Sequence, residues 1–170
     1  MDRLYAPWRM TYIKSEKTSG CIFCESVKVE NDRQSLILLR GESCFVIMNK
    51  YPYTNGHLMV APYAHIGQVE GLPLPAWTEM MALAQRCVAA LKETMDPHGF
   101  NLGLNIGRAA GAGMEEHVHL HLVPRWNGDV NFMSVFGDVR VINQQLEEGY
   151  EVLAAALNKQ RGEAEPKDKT

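Results

Sequence analysis

The chain of 170 residues has the length of one compact domain, and its hydrophobic fraction of 46% is that of a globular chain rather than a disordered one. A formal net charge of -3 and an isoelectric point near 6.1 exclude the strongly basic surface that binds duplex nucleic acid or an anionic membrane. No apolar run is long enough to span a bilayer and no signal peptide is visible, so we expect a cytoplasmic protein that uses neither partner.

The N-terminal half predicts an arm followed by three short strands. Residues 1–20 mix aromatic and basic types, which indicates an ordered arm rather than a helix. Two apolar runs, "QSLILLRG" and "SCFVIMNK", are separated at Gly41 and favour a hairpin. After a turn rich in Pro, Asn and Gly, "HLMVAPY" favours a third strand.

The C-terminal half mixes helical and strand periods. Apolar residues recur at steps of three and four from Trp77 to Leu91, which predicts an amphipathic helix within residues 72–99. "FNLGLNIG" and the histidine-rich segment after it predict two strands, residues 141–160 a second helix, and residues 161–170 a loose charged tail. Without regular alternation of strands and helices, the pattern favours an α+β fold with an antiparallel sheet, in one domain over residues 1–160.

The segment "EEHVHLHLVPRW" contains three of the six histidines, at every second position. Alternate side chains of a strand point to the same face, so His117, His119 and His121 are predicted on one face and apolar residues on the other. This face favours a metal site, because His-x-His on a strand suits zinc, or nucleophilic catalysis, because imidazole is nucleophilic near neutral pH. Solvated histidines that share a face by chance are the third interpretation.

Three motifs together resemble the histidine-triad (HIT) superfamily of nucleotidyl hydrolases and transferases. They are "CIFC", "NKYPYTNGHLMVAPYAHI" and "AGAGMEEHVHLHLVPRW", which occur in the family's order and cover most of the chain. The flanks "APWRMTYI" and "PRWNGDVNFM" resemble the branch with bacterial diadenosine tetraphosphate phosphorylases, related to the fragile histidine triad hydrolases. The resemblance implies a HIT-like fold, with a five-stranded antiparallel sheet, a long helix packed on it and a C-terminal helix, in a homodimer.

The resemblance also implies covalent catalysis at the α-phosphate of an adenine nucleotide or dinucleoside polyphosphate. His119 would attack the phosphorus, while His121 and His57 supply part of the positioning and charge stabilisation. The flanks favour inorganic phosphate over water as the acceptor of the nucleotidyl group. Two other classes stay open: a nucleotide-binding module without turnover, and a metalloenzyme with its catalytic metal on His119 and His121. No organic cofactor is expected.

Three further positions match substrate contacts of the family. Asn105 matches a position at the α-phosphate, Asn49 matches the ribose-binding position, and Ile47 lies on the same predicted strand face and is expected to touch the base. The alternative for Asn49 is a turn residue and for Ile47 a core residue.

The loop before the histidine segment departs from the family pattern. Many members carry Gln or Ser there as a contact to the leaving group, whereas this chain has "AGAGMEE" with one extra position. We therefore expect backbone N–H groups at Gly111 and Gly113 to hold a phosphate, with a flexible loop as the alternative. Trp126 is expected to wall the same pocket, or else to lie in the core or a dimer contact.

The Cys-x-x-Cys pair at Cys21 and Cys24 favours a metal or redox site, because reduced thiols are expected in a chain without a visible secretory signal. Several HIT members hold a structural zinc with such a pair, a His in a segment like "APYAHI", and the first His of the triad. The matching histidines here are His65 and His117. Two thiolates and two imidazoles suit a closed zinc site, and a metal-free reduced pair is the alternative.

Overall fold

A computed structural model of the protein describes residues 20–129 and 145–164, with side chains described up to residue 160. The predicted arm over residues 1–20 lies outside this part of the chain except for Gly20. The start of the predicted second helix, residues 141–144, and the end of the predicted tail, residues 165–170, also lie outside it.

The centre of the fold is one antiparallel sheet of five strands. In chain order they are β1 (Ile37–Arg40), β2 (Cys44–Met48), β3 (Leu58–Pro62), β4 (Gly99–Leu104) and β5 (Leu120–Arg125). Their order across the sheet is β1-β2-β3-β5-β4, and every neighbouring pair is antiparallel. The predicted α+β class and the five-stranded antiparallel sheet are confirmed.

Of the helices in residues 20–129 and 145–164, two α-helices were predicted and two were missed. The missed helices, α1 (Ile22–Lys28) and α2 (Asp32–Ser35), precede the sheet. The predicted long helix is α3 (Leu74–Met95), which starts after Pro73, since proline is favoured at a helix start. Among the described residues, no helix is both long enough and apolar enough to cross a membrane.

The C-terminal helix, α4 (Leu146–Ala164), extends further than predicted. Its last four residues lie in the stretch 161–170 that was predicted as a loose tail, because Arg, Glu and Ala favour continuation of a helix. The hydrogen bonds that attach α4 to the domain include one from the Tyr150 hydroxyl to the Ile37 carbonyl at 3.0 Å and one from Arg86 of α3 to the Leu157 carbonyl at 3.0 Å.

The two faces of the sheet are covered differently. Helices α3 and α4 cover the first face, and the main hydrophobic core forms between them and the strands, with Val46, Leu58, Met80 and Leu122 among its buried residues. The other face, here called the histidine face, carries a smaller apolar cluster, which Phe23 of α1 joins. Its buried members are Phe23, Ile37, Phe45, Ile47, Met59 and Ala61.

The histidine segment is only partly a strand, which corrects the prediction that all three histidines lie on one. Strand β5 begins at Leu120, so His121 is in the strand while His117 and His119 precede it. The neighbouring strand β3 ends at Pro62, which has no N–H to donate to a ladder. Before β5, the Val118 N–H instead donates to the Ile66 carbonyl at 2.7 Å, which keeps the segment extended beside β3.

Candidate active site and metal centre

Three of the predicted catalytic histidines form one group on the histidine face. The His57 Nε2 and His121 Nδ1 atoms are 2.9 Å apart, and the ring centroids of His119 and His121 are 4.8 Å apart. Both His57 and His119 are buried, at 1% and 6% exposure. The structure thus brings together His57, from the turn before β3, with two residues that follow it by more than sixty positions.

The hydrogen bonds around His57 determine which nitrogen of each ring carries a proton. The backbone N–H of Tyr53 donates to His57 Nδ1 at 3.1 Å, so in the neutral ring the proton lies on Nε2. That Nε2–H donates to His121 Nδ1, which leaves the proton of a neutral His121 on its own Nε2. His121 is therefore prepared to donate a hydrogen bond from Nε2.

His119 is fixed by a different partner. Its Nδ1 lies 2.8 Å from the backbone carbonyl of His117, which can only accept, so Nδ1 carries the proton. The lone pair of a neutral His119 is then on Nε2. Phe23 lies against this ring, with centroids 4.8 Å apart at an interplanar angle of 38°.

Burial favours the neutral form of the histidine segment. Desolvation lowers the pKa of His119 below its ordinary value of 6.5, against a raising effect of the hydrogen bond to the His117 carbonyl. Desolvation and then the charge of His119 lower the pKa of His121 to about 4. Both imidazoles are uncharged near neutral pH, which is the form in which an imidazole can act as a nucleophile.

The four predicted metal ligands also come together, at the other end of the segment. The ligand atoms of Cys21, Cys24, His65 and His117 all lie within 4.8 Å of one another. His117 Nδ1 is 3.2 Å from Cys21 Sγ, 3.6 Å from Cys24 Sγ and 3.3 Å from His65 Nδ1. Cys24 Sγ is 3.5 Å from His65 Nδ1.

These spacings fit tetrahedral zinc. A tetrahedron with Zn–N bonds of about 2.05 Å and Zn–S bonds of about 2.3 Å has donor–donor distances of roughly 3.3 to 3.8 Å. The His117 Nε2 atom is 2.8 Å from the Pro62 carbonyl, so Nε2 donates and the Nδ1 lone pair points into the group, as a ligand requires. The donor set and its outer hydrogen bond therefore match a closed structural site.

A close approach of two chain segments builds this end of the site. A side chain at Gly67 would place its Cβ 2.8 Å from the Glu115 carbonyl and 3.0 Å from the Cα of Glu116. Only glycine lets the His65 segment run beside the start of the histidine segment at this distance. His65 and His117 meet because of that approach.

Two of the predicted substrate residues, Ile47 and Asn49, lie close to the histidine group. Ile47 is buried in the cluster with Phe23 and Met59, and Met59 pairs with His121 in the β3–β5 register. Asn49 follows β2; its Oδ1 accepts the Tyr51 N–H at 2.9 Å and its Nδ2 is 3.3 Å from His57 Nδ1. Asn49 is thus a turn residue that also touches His57.

Asn105, Gly111 and Gly113 lie in the loop region that follows β4. Continuing the β4–β5 register by one residue beyond Leu104–Leu120 sets Asn105 opposite His119. The Asn105 Nδ2 donates to the Gly111 carbonyl at 3.5 Å, and Gly111 has a φ of 86° at the end of a 3₁₀ turn. Gly113 is exposed in this loop.

Trp126 lies directly after β5 and is half-buried. Its backbone N–H donates to Asp129 Oδ2 at 3.2 Å in a turn. By strand parity it continues the row of Leu122 and Pro124 rather than that of His121, so its predicted contact with the pocket depends on how the chain bends after Arg125.

Three contributors to the site were missed from the sequence. Phe23 lies against both His117 and His119, the Pro62 carbonyl orients His117, and the Tyr53 N–H orients His57. The position of Phe23 between two candidate ligands was the available signal. The other two contributions come from backbone groups, which carry no residue-type signal.

Comparison with known families settles the classification. A family profile described as HIT domain matches residues 30–128 of the chain. The chain belongs to the HIT domain family. The matched residues include His57, His65 and the whole histidine segment, and Cys21 and Cys24 lie just before them.

Relatives and solved structures agree with this family. A relative from Mycobacterium tuberculosis named AP-4-A phosphorylase is 37% identical over 169 residues, covering 94% of this chain and 86% of the relative. The bis(5'-adenosyl)-triphosphatase of Dictyostelium discoideum is 32% identical over 55% of this chain and 62% of its own length. A zinc-bound histidine triad family protein from Mycobacterium smegmatis has a TM-score of 0.67 and 28% identity, over 85% of this chain and 97% of that one.

Proposed function

We propose that this HIT protein is an enzyme that transfers a nucleotidyl group from a dinucleoside polyphosphate, such as diadenosine tetraphosphate, to inorganic phosphate. The observation that carries the proposal is the His119 Nδ1–H···O=C His117 hydrogen bond, at 2.8 Å in a ring whose burial lowers its pKa. It leaves a neutral Nε2 lone pair as a nucleophile with no need of a metal. The names of two relatives, AP-4-A phosphorylase and bis(5'-adenosyl)-triphosphatase, support this substrate class.

In the first step, His119 Nε2 attacks the α-phosphorus. A P–N bond forms, the bridging P–O bond breaks, and the nucleoside polyphosphate leaves with the electron pair of that bond. His121 donates its Nε2–H to the phosphate oxygens, where negative charge accumulates, because His57 fixes its proton on that nitrogen. The His117 carbonyl accepts the Nδ1–H of His119 as the ring becomes positively charged.

In the second step, an acceptor oxygen attacks the same phosphorus and the P–N bond breaks. With diadenosine tetraphosphate, the first step releases ATP and leaves an adenylyl group on His119. Transfer to inorganic phosphate then gives ADP, whereas transfer to water gives AMP. The loop of small residues, with Gly113 exposed, supports phosphate because backbone N–H groups beside such residues can approach an anion closely.

The substrate contacts follow from the residues around this centre. We propose that the base lies against Ile47, the ribose near Asn49, and the α-phosphate beside Asn105, which a continuation of the β4–β5 register sets opposite His119. Trp126 is proposed to form a wall of the pocket where the acceptor phosphate binds. Leaving-group and acceptor phosphates would use the N–H of Gly113 rather than that of Gly111, because the Gly111 N–H already donates to the Arg108 carbonyl at 2.9 Å, which corrects that part of the prediction.

A catalytic metal on His119 and His121 has less support. In both rings Nδ1 is engaged, by the His117 carbonyl and by His57 respectively. Among residues 20–129 and 145–164, the grouping of potential ligand atoms comprises Cys21, Cys24, His65 and His117 and does not include these two histidines. We propose a structural zinc at that grouping, which ties α1 to the sheet, as the zinc-bound relative suggests.

We also propose a homodimer, formed along β4. In the described part of the chain β4 is an edge strand, bonded to β5 on one side, and α4 lies over the opposite edge at β1. Leu102 on β4 and Ile106 just after it are 44% and 58% exposed. An apolar edge strand of this kind pairs readily with a second copy, and sedimentation of the wild type against Leu102→Lys tests it.

Product analysis with labelled phosphate tests the proposed reaction. Diadenosine tetraphosphate is incubated with the enzyme and ³²P-labelled inorganic phosphate, and the nucleotides are separated by chromatography. Label in ADP, with equal amounts of ATP, supports the proposal. If the products are AMP and ATP, formed at a rate independent of phosphate, then phosphate is not the acceptor and the protein is a hydrolase. Binding without any product supports the non-catalytic module.

A further inference from the structure

We infer that Phe23 is a positioning residue, through which the group of Cys21, Cys24, His65 and His117 holds the His119 ring in its reactive orientation. The inference rests on the proposed function, in which His119 is the nucleophile and the four-residue group binds a metal. It adds a role for that metal centre in the rate of the reaction, beyond its role in folding.

The first argument is that one hydrogen bond does not orient an imidazole. The bond from His119 Nδ1 to the His117 carbonyl restrains rotation of the ring about its Cβ–Cγ bond, and the ring of His121 lies beside it. Phe23 adds a contact from α1, with its centroid 4.8 Å from that of His119. A ring held by these contacts together keeps Nε2 in line with the phosphorus, and reactivity depends steeply on such alignment.

The second argument is that Phe23 touches both functions at once. Its ring centroid is also 5.0 Å from that of His117, a member of the proposed metal group. At 1% exposure it is enclosed between the two histidines and the apolar cluster of the histidine face. Movement of Phe23 would therefore displace the ring of His119 as well as that of His117.

The third argument is that Phe23 depends on the cysteines for its place. It lies between Cys21 and Cys24 on α1, a helix of seven residues, and helices this short are not stable by themselves. The cysteines attach the start of α1 to His65 and His117, and at its end Arg40 donates to the carbonyls of Val27 and Val29 at 3.4 Å. Without the metal group, the start of α1 and Phe23 would be released.

The test compares Phe23→Leu with Phe45→Leu in zinc-loaded protein. Phe45 is a matched control, because it is equally buried in the same cluster but has Tyr63 as its ring partner, at 5.3 Å. Formation of the nucleotidyl-enzyme is followed in a single turnover, nucleotide affinity is measured separately, and the ¹⁵N shifts of His119 report its tautomer and mobility.

For Phe23→Leu we expect the rate constant of the first step to fall about tenfold, while nucleotide affinity stays within roughly threefold. The His119 resonances should broaden or shift toward a mixture of tautomers. Phe45→Leu should lower the melting temperature about as much as Phe23→Leu does. Its first step should nevertheless slow less than about twofold, and its His119 resonances should stay in place.

Metal removal completes the test. In the wild type, chelation should reproduce the Phe23→Leu changes in rate and in the His119 resonances, and added zinc should restore them. In Phe23→Leu, chelation should add little, because both changes act through one contact. If chelation unfolds the chain, the zinc-loaded Phe23→Leu and Phe45→Leu pair decides alone.

Unchanged His119 resonances and first-step rate in Phe23→Leu would overturn the inference. So would an effect of chelation that is as large in Phe23→Leu as in the wild type. Failure of the proposed function has a different signature, since His119→Asn would then form product at the normal rate whatever the Phe23 variants do.

Discussion

The two ends of the histidine segment use the same residue type for different purposes. At the His117 end, the proton lies on Nε2 because Nε2 faces the Pro62 carbonyl, and the Nδ1 lone pair points toward two cysteines and His65. At the His121 end, Nδ1 accepts from His57 and the proton is presented on Nε2. The partner of each ring, rather than the ring itself, determines whether it serves as a ligand or as a donor.

His119, between the two ends, takes its orientation from the His117 end and has its reaction partner at the His121 end. The His117 carbonyl fixes its Nδ1–H, and His121 lies beside its ring. The comparison therefore predicts that substitutions at the His121 end lower the turnover rate most. Substitutions at the His117 end should instead lower metal content and stability most.

Removal of the proposed nucleophile, His119, should have the largest effect. His119→Asn is expected to lower turnover by at least about a thousandfold, because the covalent step is lost, while nucleotide affinity stays within about tenfold. Steady-state kinetics and isothermal titration measure the two quantities. His98→Asn is the control, since His98 is exposed and accepts the Asn127 N–H in a turn. Turnover of His119→Asn close to that of the wild type would contradict the assignment.

A change at the His121 end tests the orientation of the donor. His57→Phe keeps a ring but removes the N–H that sets the His121 tautomer, so kcat should fall roughly 10- to 100-fold with a smaller change in KM. His121→Ala should be slower still, but less so than His119→Asn. A kcat of His57→Phe equal to that of the wild type would show that the His57–His121 contact does not contribute to the rate.

A change at the His117 end tests the metal centre. The wild type purified without chelator should contain about one zinc ion per chain, and Cys24→Ser should lose most of it and melt roughly 5 °C lower. Cys87→Ala, which alters a buried thiol of α3, should keep its zinc. Elemental analysis and thermal melts provide the readouts. If the wild-type protein contains no zinc, the proposed metal centre is wrong and Cys21 and Cys24 form a metal-free reduced pair.

The last expected effect, which concerns stability rather than turnover, is a pH dependence from His121. Its pKa is lowered from 6.5 to about 4, so the unfolded chain takes up a proton that the folded chain does not. Between about pH 6.5 and about pH 4 the free energy of unfolding should therefore fall as the pH falls, by up to about 1.4 kcal/mol per pH unit through this residue. Urea unfolding should show a smaller loss for His121→Gln. Equal losses in both proteins would contradict the neutral, buried His121.

Elements with a repeating pattern were predictable from the sequence, and short ones were not. The apolar period of α3 and the apolar runs of β1 to β3 are long enough to read. Helices α1 and α2, with seven and four residues, are shorter than the window in which a helical period can be recognised. Their positions depend on tertiary contacts such as Arg40 to Asp32 at 2.8 Å, which no local pattern reveals.

The candidate site was predictable in composition but not in connectivity. Two-residue spacing indicated that the three histidines share a side, and the family resemblance linked Cys21 and Cys24 to His65 and His117. The bond from His57 to His121 joins positions 64 residues apart. The partner of His117 Nε2 is the backbone carbonyl of Pro62, and because every residue has a carbonyl, no residue type indicates which one is the partner. Backbone groups and distant pairs become visible only once the sheet register is known.

Identification of the covalent intermediate tests the central claim most directly. The enzyme is mixed with a diadenosine tetraphosphate radiolabelled in its adenosines, without phosphate, quenched at alkaline pH where phosphoramidates survive, and digested for mass spectrometry. An adenylyl group on His119, absent in His119→Asn and lost when phosphate is added as labelled ADP appears, is the predicted result. An adenylyl group on another residue, or turnover without any protein-bound nucleotide during the first milliseconds, would contradict the account.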